Sequence, residues 1–179
     1  MRDWIASAEV VELKNGRKIL IGGLDRSHRQ RYLAALNSLS RRTLYLRFLS
    51  PVTEISDAQV DRFLDVGHDG REALIAVSVD TDEIVGVARF ATDPSRRDQV
   101  EIGVVVVDAW QFQGVGSSLL DRLIELAGRC GYQLVAATSL AENAVVSSMV
   151  RARGFTALTT SLGITEWALR LSPTPPSWR

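Results

Sequence analysis

The residues best able to do chemistry lie in one stretch, Glu101-Ile102-Gly103-Val104-Val105-Val106-Val107-Asp108-Ala109-Trp110-Gln111-Phe112-Gln113-Gly114-Val115-Gly116-Ser117-Ser118. Its pattern is a buried strand, a short turn, a Gly-x-Gly and the start of a helix. Glycines at such a turn let backbone come close to a ligand, and the free N–H groups of a first helical turn attract phosphate oxygens. A helix start with small residues for packing has the same pattern. The third spaced glycine of a dinucleotide-binding turn and the Gly-Lys-Ser/Thr ending of a P-loop are missing, so neither of those phosphate sites is expected. At the head of the strand, Glu101 shares one side with Gly103 and Val105. It reads either as a residue on a solvated face or as a carboxylate available to take a proton. Asn143, by itself, reads as an ordinary helix N-cap.

Other chemistries find little support. Cys130 is the only cysteine, which excludes an intrachain disulfide and leaves a packing role at a helix end. His28 and His68 lack Cys, His or carboxylate partners at a metal-ligand spacing, so no metal is expected. The 21 basic and 21 acidic residues cancel, which removes the electrostatic footprint of a nucleic-acid binder. Inside that neutral total, 19 cations are Arg and two, Lys14 and Lys18, are Lys. Met1–Ser7 has no apolar run of a secretion signal, and the longest apolar stretch lies within Ile102–Val107, too short for a bilayer. A cytoplasmic protein with no membrane partner is expected.

The elements that must position these residues follow from periodicity. Glu9–Ile21 reads as two short strands joined at Asn15-Gly16. Asp25 caps a helix carrying Tyr32, Leu33, Leu36 and Leu39; a second helix carries Leu44–Phe48 and stops before Pro51. Ser56-Asp57-Ala58-Gln59 has the form of a capping box. Ala73–Val79 and Ile84–Phe90 form a hairpin, Asp93–Asp98 a polar loop, and Val100–Val107 the next strand. Gly114–Cys130 is a long helix, Leu134–Thr138 a strand, Asn143–Arg153 a helix, and Phe155–Thr160 with Ile164–Leu171 close the sheet. Arg26, Arg29, Arg41 and Arg42 are expected on solvated helix faces. This is one α/β domain over 1–171, with a Pro-rich tail at 172–179.

With Gln111, Gly114 and Gly116 between a central strand and a long helix, the sequence resembles the GNAT superfamily of acyl-CoA-dependent N-acyltransferases, whose signature is Gln/Arg-x-x-Gly-x-Gly/Ala. The order of elements and the later block from Asn143 to Gly154-Phe155 fit the same family. Further upstream, Leu44-Tyr45-Leu46-Arg47-Phe48, Arg71–Val77 and Glu83–Arg89 look like the acetyltransferase domain of bacterial Pat-type protein-lysine acetyltransferases. The resemblance implies a mixed central sheet flanked by helices, with a cofactor cleft where two parallel strands splay. It implies acetyl-CoA as cosubstrate, with the pantetheine arm along Val105, Val106 and Val107. The pyrophosphate would then lie over Phe112, Gln113, Gly114, Val115, Gly116 and Ser117, with Gln111 and Asn143 as further cofactor contacts. Glu101 falls at the general base of Pat-type enzymes.

The implied reaction is direct attack of a primary amine on the thioester, with a protein lysine as the leading acceptor. A small-molecule amine, or a domain that binds acyl-CoA without turnover, are the alternatives. Tyr45 and Arg47 either line the acceptor side or serve packing and an ion pair. Many family members place a Tyr, as general acid, seven residues after the equivalent of Asn143; here Val150 stands there. A homodimer is common in such folds.

Overall fold

Turn-forming residues and alternating apolar positions cut the first half of the chain into strands. The computed structural model describes residues 8–52, 55–67, 69–93 and 95–172; Met1–Ser7, His68 and the tail beyond Ser172 lie outside it. Strands β1 (Glu9–Glu12) and β2 (Lys18–Gly23) meet at a turn in which Asn15 Oδ1 accepts from the Arg17 N–H at 3.1 Å, the local bond that suits Asn to turns. β3 (Arg71–Ser78), β4 (Ile84–Asp93) and β5 (Arg96–Val106) extend the meander. β6 (Leu134–Leu140), β7 (Thr156–Ser161) and β8 (Ile164–Arg170) complete an eight-stranded sheet in the order β1-β2-β3-β4-β5-β6-β8-β7. Every seam is antiparallel except β5–β6.

The polar stretch expected as a loop at Asp93–Asp98 is largely strand. The ladder reaches Asp93↔Arg96, with residues 97–99 bulged out before Thr92↔Val100. Side-chain polarity does not forbid a strand at an exposed hairpin end, because backbone pairing decides there.

Local caps start the helices. Asp25 caps a 3-10 turn, Arg26–His28, that leads into α1 (Arg29–Asn37). Ser40 caps α2 (Arg41–Phe48), and Ser56 with Gln59 forms the reciprocal box that opens α3 (Asp57–Phe63). α4 (Val115–Arg129) and α5 (Ala144–Arg151) follow β5 and β6. Along α4, Val115, Leu119, Leu120, Leu123 and Ala127 recur at helical spacing and are fully buried against Val85, Ala88, Phe90, Val100 and Ile102. Burying each Leu of that stripe contributes about 2 kcal/mol. On the opposite face, Tyr32, Leu36, Val60 and Leu64 of α1 and α3 and their flanks pack on Ile75, Val77 and Val87. The central strand is therefore shared between two cores. Ile102, Val104 and Val106 face α4, and Glu101, Gly103 and Val105 face the layer of α1, α2 and α3. Among the described residues no helix is long and apolar enough to cross a membrane.

Candidate active site

The parallel seam decides where the sheet opens. β5 and β6 pair only from Gln99↔Leu134 to Ile102↔Ala137. Beyond that, β5 runs on to Val106 against β4, and β6 runs on to Leu140 against β8. The two strands splay, and Gly103–Val106 keep an open edge. The Val107 N–H donates to Val85 O at 2.9 Å. Antiparallel alternation then turns the N–H and C=O of Val105 toward β4 as well, and those of Val104 and Val106 into the opening. Of the three valines singled out from sequence, Val106 is thus the one whose N–H faces the cleft.

Glu101 stands one rung before the end of the seam, with its carboxylate in solvent. It accepts the Thr138 hydroxyl at 3.0 Å, and Thr138 is the first β6 residue past the seam. The carboxylate is held in the crotch of the splay by the strand it does not belong to.

The turn after β5 is a dense hydrogen-bonded unit. Val107 leads into a 3-10 turn, Asp108–Trp110. Asp108 accepts from the Ser40 N–H at 3.0 Å, the Ser40 hydroxyl at 2.6 Å and the Thr43 hydroxyl at 2.9 Å. Burial works against its charge, but the bonds from Ser40 and Thr43 outweigh it and hold the carboxyl below its ordinary value. Gln111 Nε2 donates to Val106 O and to Thr43 Oγ1, both at 3.1 Å. The turn is thereby tied to the start of α2 through Thr43. Gln113 Nε2 donates to Ala109 O at 2.7 Å, while its Oε1 accepts from Asn15 at 2.8 Å and so binds the β1–β2 hairpin. Arg17 lies 3.4 Å over the buried Trp110 ring.

Phe112 adopts φ 61° with its side chain 85% exposed, and Gly114 follows at φ 99°, a conformation that excludes most other residues. No side chain caps α4. The N–H groups of Val115, Gly116 and Ser117 have neither an intrahelical acceptor nor a cap among the described residues, and the helix dipole adds positive potential at that point. Across the opening, Asn143 Oδ1 caps α5 through the Val146 N–H at 3.1 Å. Its amide NH2 has no partner among the described residues, so capping leaves a donor free. Arg153 fixes the two helices to each other, donating to Asp121, to Met149 O at 2.8 Å and to Ser117 O at 3.1 Å. Val150 is 2% exposed and packed in the core, so this position does not open on the cleft.

Two features escaped the sequence. One is the unit built on Asp108, whose Ser40 and Thr43 partners lie 68 and 65 residues away. The other is the seat of Arg47. A Cβ at Gly103 would lie 2.6 Å from Arg47 Cζ, so only glycine admits the guanidinium onto the central strand. The signal was present, since glycine inside a strand of valines marks the close approach of another group. Of the two bland readings of Arg47, packing holds and an ion pair does not: no carboxylate bonds it among the described residues.

Comparison with known proteins bears on this cleft. The model of the acetyltransferase (GNAT) family matches residues 35–155. A Pseudomonas aeruginosa protein named as an acetyltransferase is 30% identical over 148 residues, covering 82% of this chain and 79% of its own. The crystal structure of the GNAT domain of S. lividans PAT superposes with a TM-score of 0.84 at 23% identity, over 92% of this chain and 97% of that one. The structure of yncA from Salmonella typhimurium, solved with acetyl-CoA, gives a TM-score of 0.71 at 23% identity, over 87% and 95%. At such identities the structural likenesses are likenesses of fold.

Proposed function

The chain belongs to the acetyltransferase (GNAT) family, and on that premise we propose that it transfers acetyl from acetyl-CoA to a primary amine by direct attack, with Glu101 as general base. The observation that carries the proposal is the carboxylate of Glu101 at the crotch of the splay, beside an open strand edge and an uncapped helix start.

The donor side fits an acyl-CoA. The uncapped N–H groups of Val115, Gly116 and Ser117 suit a pyrophosphate, and the strain-tolerant Gly114 keeps side chains out of its way. The open backbone edge at Val104 suits an amide of a pantetheine arm, while the Val106 carbonyl is held by Gln111. Gln111 acts by holding Val106 and Thr43, so it shapes the turn from beneath. Asn143 offers its free amide donors from the α5 side.

Acetyl-CoA supplies an acetyl group already activated as a thioester, and the protein must supply a neutral amine. An alkylammonium of pKa about 10.4 costs roughly 4–5 kcal/mol to deprotonate at pH 7. Glu101, directly or through one water, takes that proton as the nitrogen attacks. The Val106 N–H, facing the opening, stabilises negative charge developing on the carbonyl oxygen. No covalent acyl-enzyme is needed, and the departing thiolate, with a pKa near 8–9, leaves without a dedicated acid. Protein lysine and a small amine are the two acceptor classes expected from the sequence, and the panel below separates them.

The test is thiol release from acetyl-CoA with a panel of amines and lysine peptides. Glu101→Gln should lower kcat by about 10²–10³-fold while acetyl-CoA binding persists. Full activity in that variant would remove Glu101 from the mechanism. Binding with no thiol release from any amine would make the domain an acyl-CoA-binding module.

A further inference from the structure

Arg47 and Arg89, beside the central strand on its α1–α3 face, have no task in the acetyl-transfer reading. Arg89 is the direct cross-strand partner of Gly103, and Arg47 lies on Gly103 from α2. Both are half-buried, and neither has a hydrogen bond or ion pair among the described residues. Each guanidinium lies within cation–π range of a ring: Arg47 Cζ is 5.4 Å from the Phe48 centroid and Arg89 Cζ 5.1 Å from that of Phe63. Among the described residues no fully buried side-chain nitrogen lacks a partner, so the unbonded nitrogens of Arg47 and Arg89 keep some contact with solvent. A cavity of about 20 Å³ lies among Tyr32, Phe48, Phe63, Arg47, Arg89 and Gly103, room for one water-sized group.

Two like charges held together without a counter-ion are costly. Burial first, and then Arg89, push the Arg47 guanidinium below its ordinary value, and burial does the same to Arg89. The carboxylate whose charge Arg47 feels is Glu101, which lies beyond ion-pair distance and bonds Thr138. Two arginine forks side by side with no hydrogen-bond or ion-pair partner among the described residues suit a planar anion.

We propose that Arg47 and Arg89, with Gly103 between them, bind a carboxylate of the acceptor, so that the substrate is a small amino acid-like amine. The inference rests on the acetyl-transfer reading, because it is Glu101 that places the amine. Glu101 and Gly103 are alternate residues on one face of β5, about 7 Å apart. An amine at the crotch and an anion at the two arginines are therefore separated by a few bonds. A lysine side chain in a protein carries its nearest carboxyl as an amide and has no anion at that reach.

The experiment compares matched acceptors on the wild-type enzyme: protein amino acids, β-alanine and 4-aminobutyrate, each beside its carboxamide, and an N-capped lysine peptide. At least one acid should exceed its amide by about 30-fold or more in kcat/KM, mostly through KM, since the amide forfeits the charge-assisted bonds. In Arg89→Gln, checked for an unchanged melting curve, that ratio should fall toward one; Arg47→Gln should do the same. Carboxamides or the lysine peptide reacting as fast as the acids would overturn the anion site and leave acetyl transfer standing. A protein that acetylates nothing, yet binds the acids and not the amides in calorimetry with CoA present, would keep the site and overturn the transfer reading.

Discussion

Removing the Asp108 carboxylate tests whether the turn above the cleft is built from α2. Asp108→Ala deletes three acceptor contacts, to the Ser40 N–H, the Ser40 hydroxyl and the Thr43 hydroxyl. Bonds to a charged acceptor contribute about 1.5–3 kcal/mol each when well buried. Asp108 is exposed, and screening reduces that to roughly 0.5–1 kcal/mol each, or about 2 kcal/mol together. For a chain of this size the loss lowers Tm by about 4–8 °C. Because the folded-state pKa of Asp108 is depressed, its contribution is present above the ordinary carboxylate pKa and disappears as pH falls through the folded value. Melting curves of wild type and variant should differ at pH 7 and converge toward pH 3. Thr43 also receives Gln111, so the variant should raise KM for acetyl-CoA several-fold with little change in kcat. A Tm gap that is absent at pH 7, or that persists undiminished at pH 3, would refute the reasoning.

Other outcomes follow from the same geometry. Gly114→Asp should abolish measurable acetyl-CoA binding in calorimetry, since it places a side chain at φ 99° and negative charge beside the uncapped helix start; unchanged affinity would mean the loop lies elsewhere. Val150→Tyr should lower stability by about 1–3 kcal/mol in urea denaturation and leave kcat no higher, because the position is core. Arg153→Ala should lower the urea midpoint and raise KM for acetyl-CoA, since it frees α5 from Ser117 O in the first turn of α4. Any side-chain self-acetylation found by peptide mass spectrometry should map to Lys14 and Lys18, both exposed at the β1–β2 hairpin that Asn15 binds to Gln113, and a site elsewhere would contradict the sequence.

Much of this protein was legible in the residues themselves. The apolar stripe of α4, the capping box at Ser56 and the strand–turn–helix around Gly114 are set by neighbours within a few positions, so their sequence pattern carries them. The ordinary reading of Asn143 as a cap was likewise local, and it holds. The bulged hairpin at Asp93–Arg96 was not legible, because its polar side chains say nothing of the backbone bonds between two strands. Gln111 could be matched to a family signature, but that its amide reaches Thr43 is a contact across 68 residues.

Sequence alone determined that the chain carries one carboxylate at the head of a valine strand, one glycine-rich helix start, and almost no lysine. Only the tertiary structure decided what surrounds them. It set the length of the β5–β6 seam, and so where the cleft opens and which backbone N–H groups face it. It also brought Arg47 from α2 onto Gly103 beside Arg89, three residues far apart in the chain. Local patterns are written by short-range sterics and hydrogen bonding, whereas charge placement depends on which distant elements the cores pull together. The placement of Arg47 beside Gly103 and Arg89 belongs to the second kind.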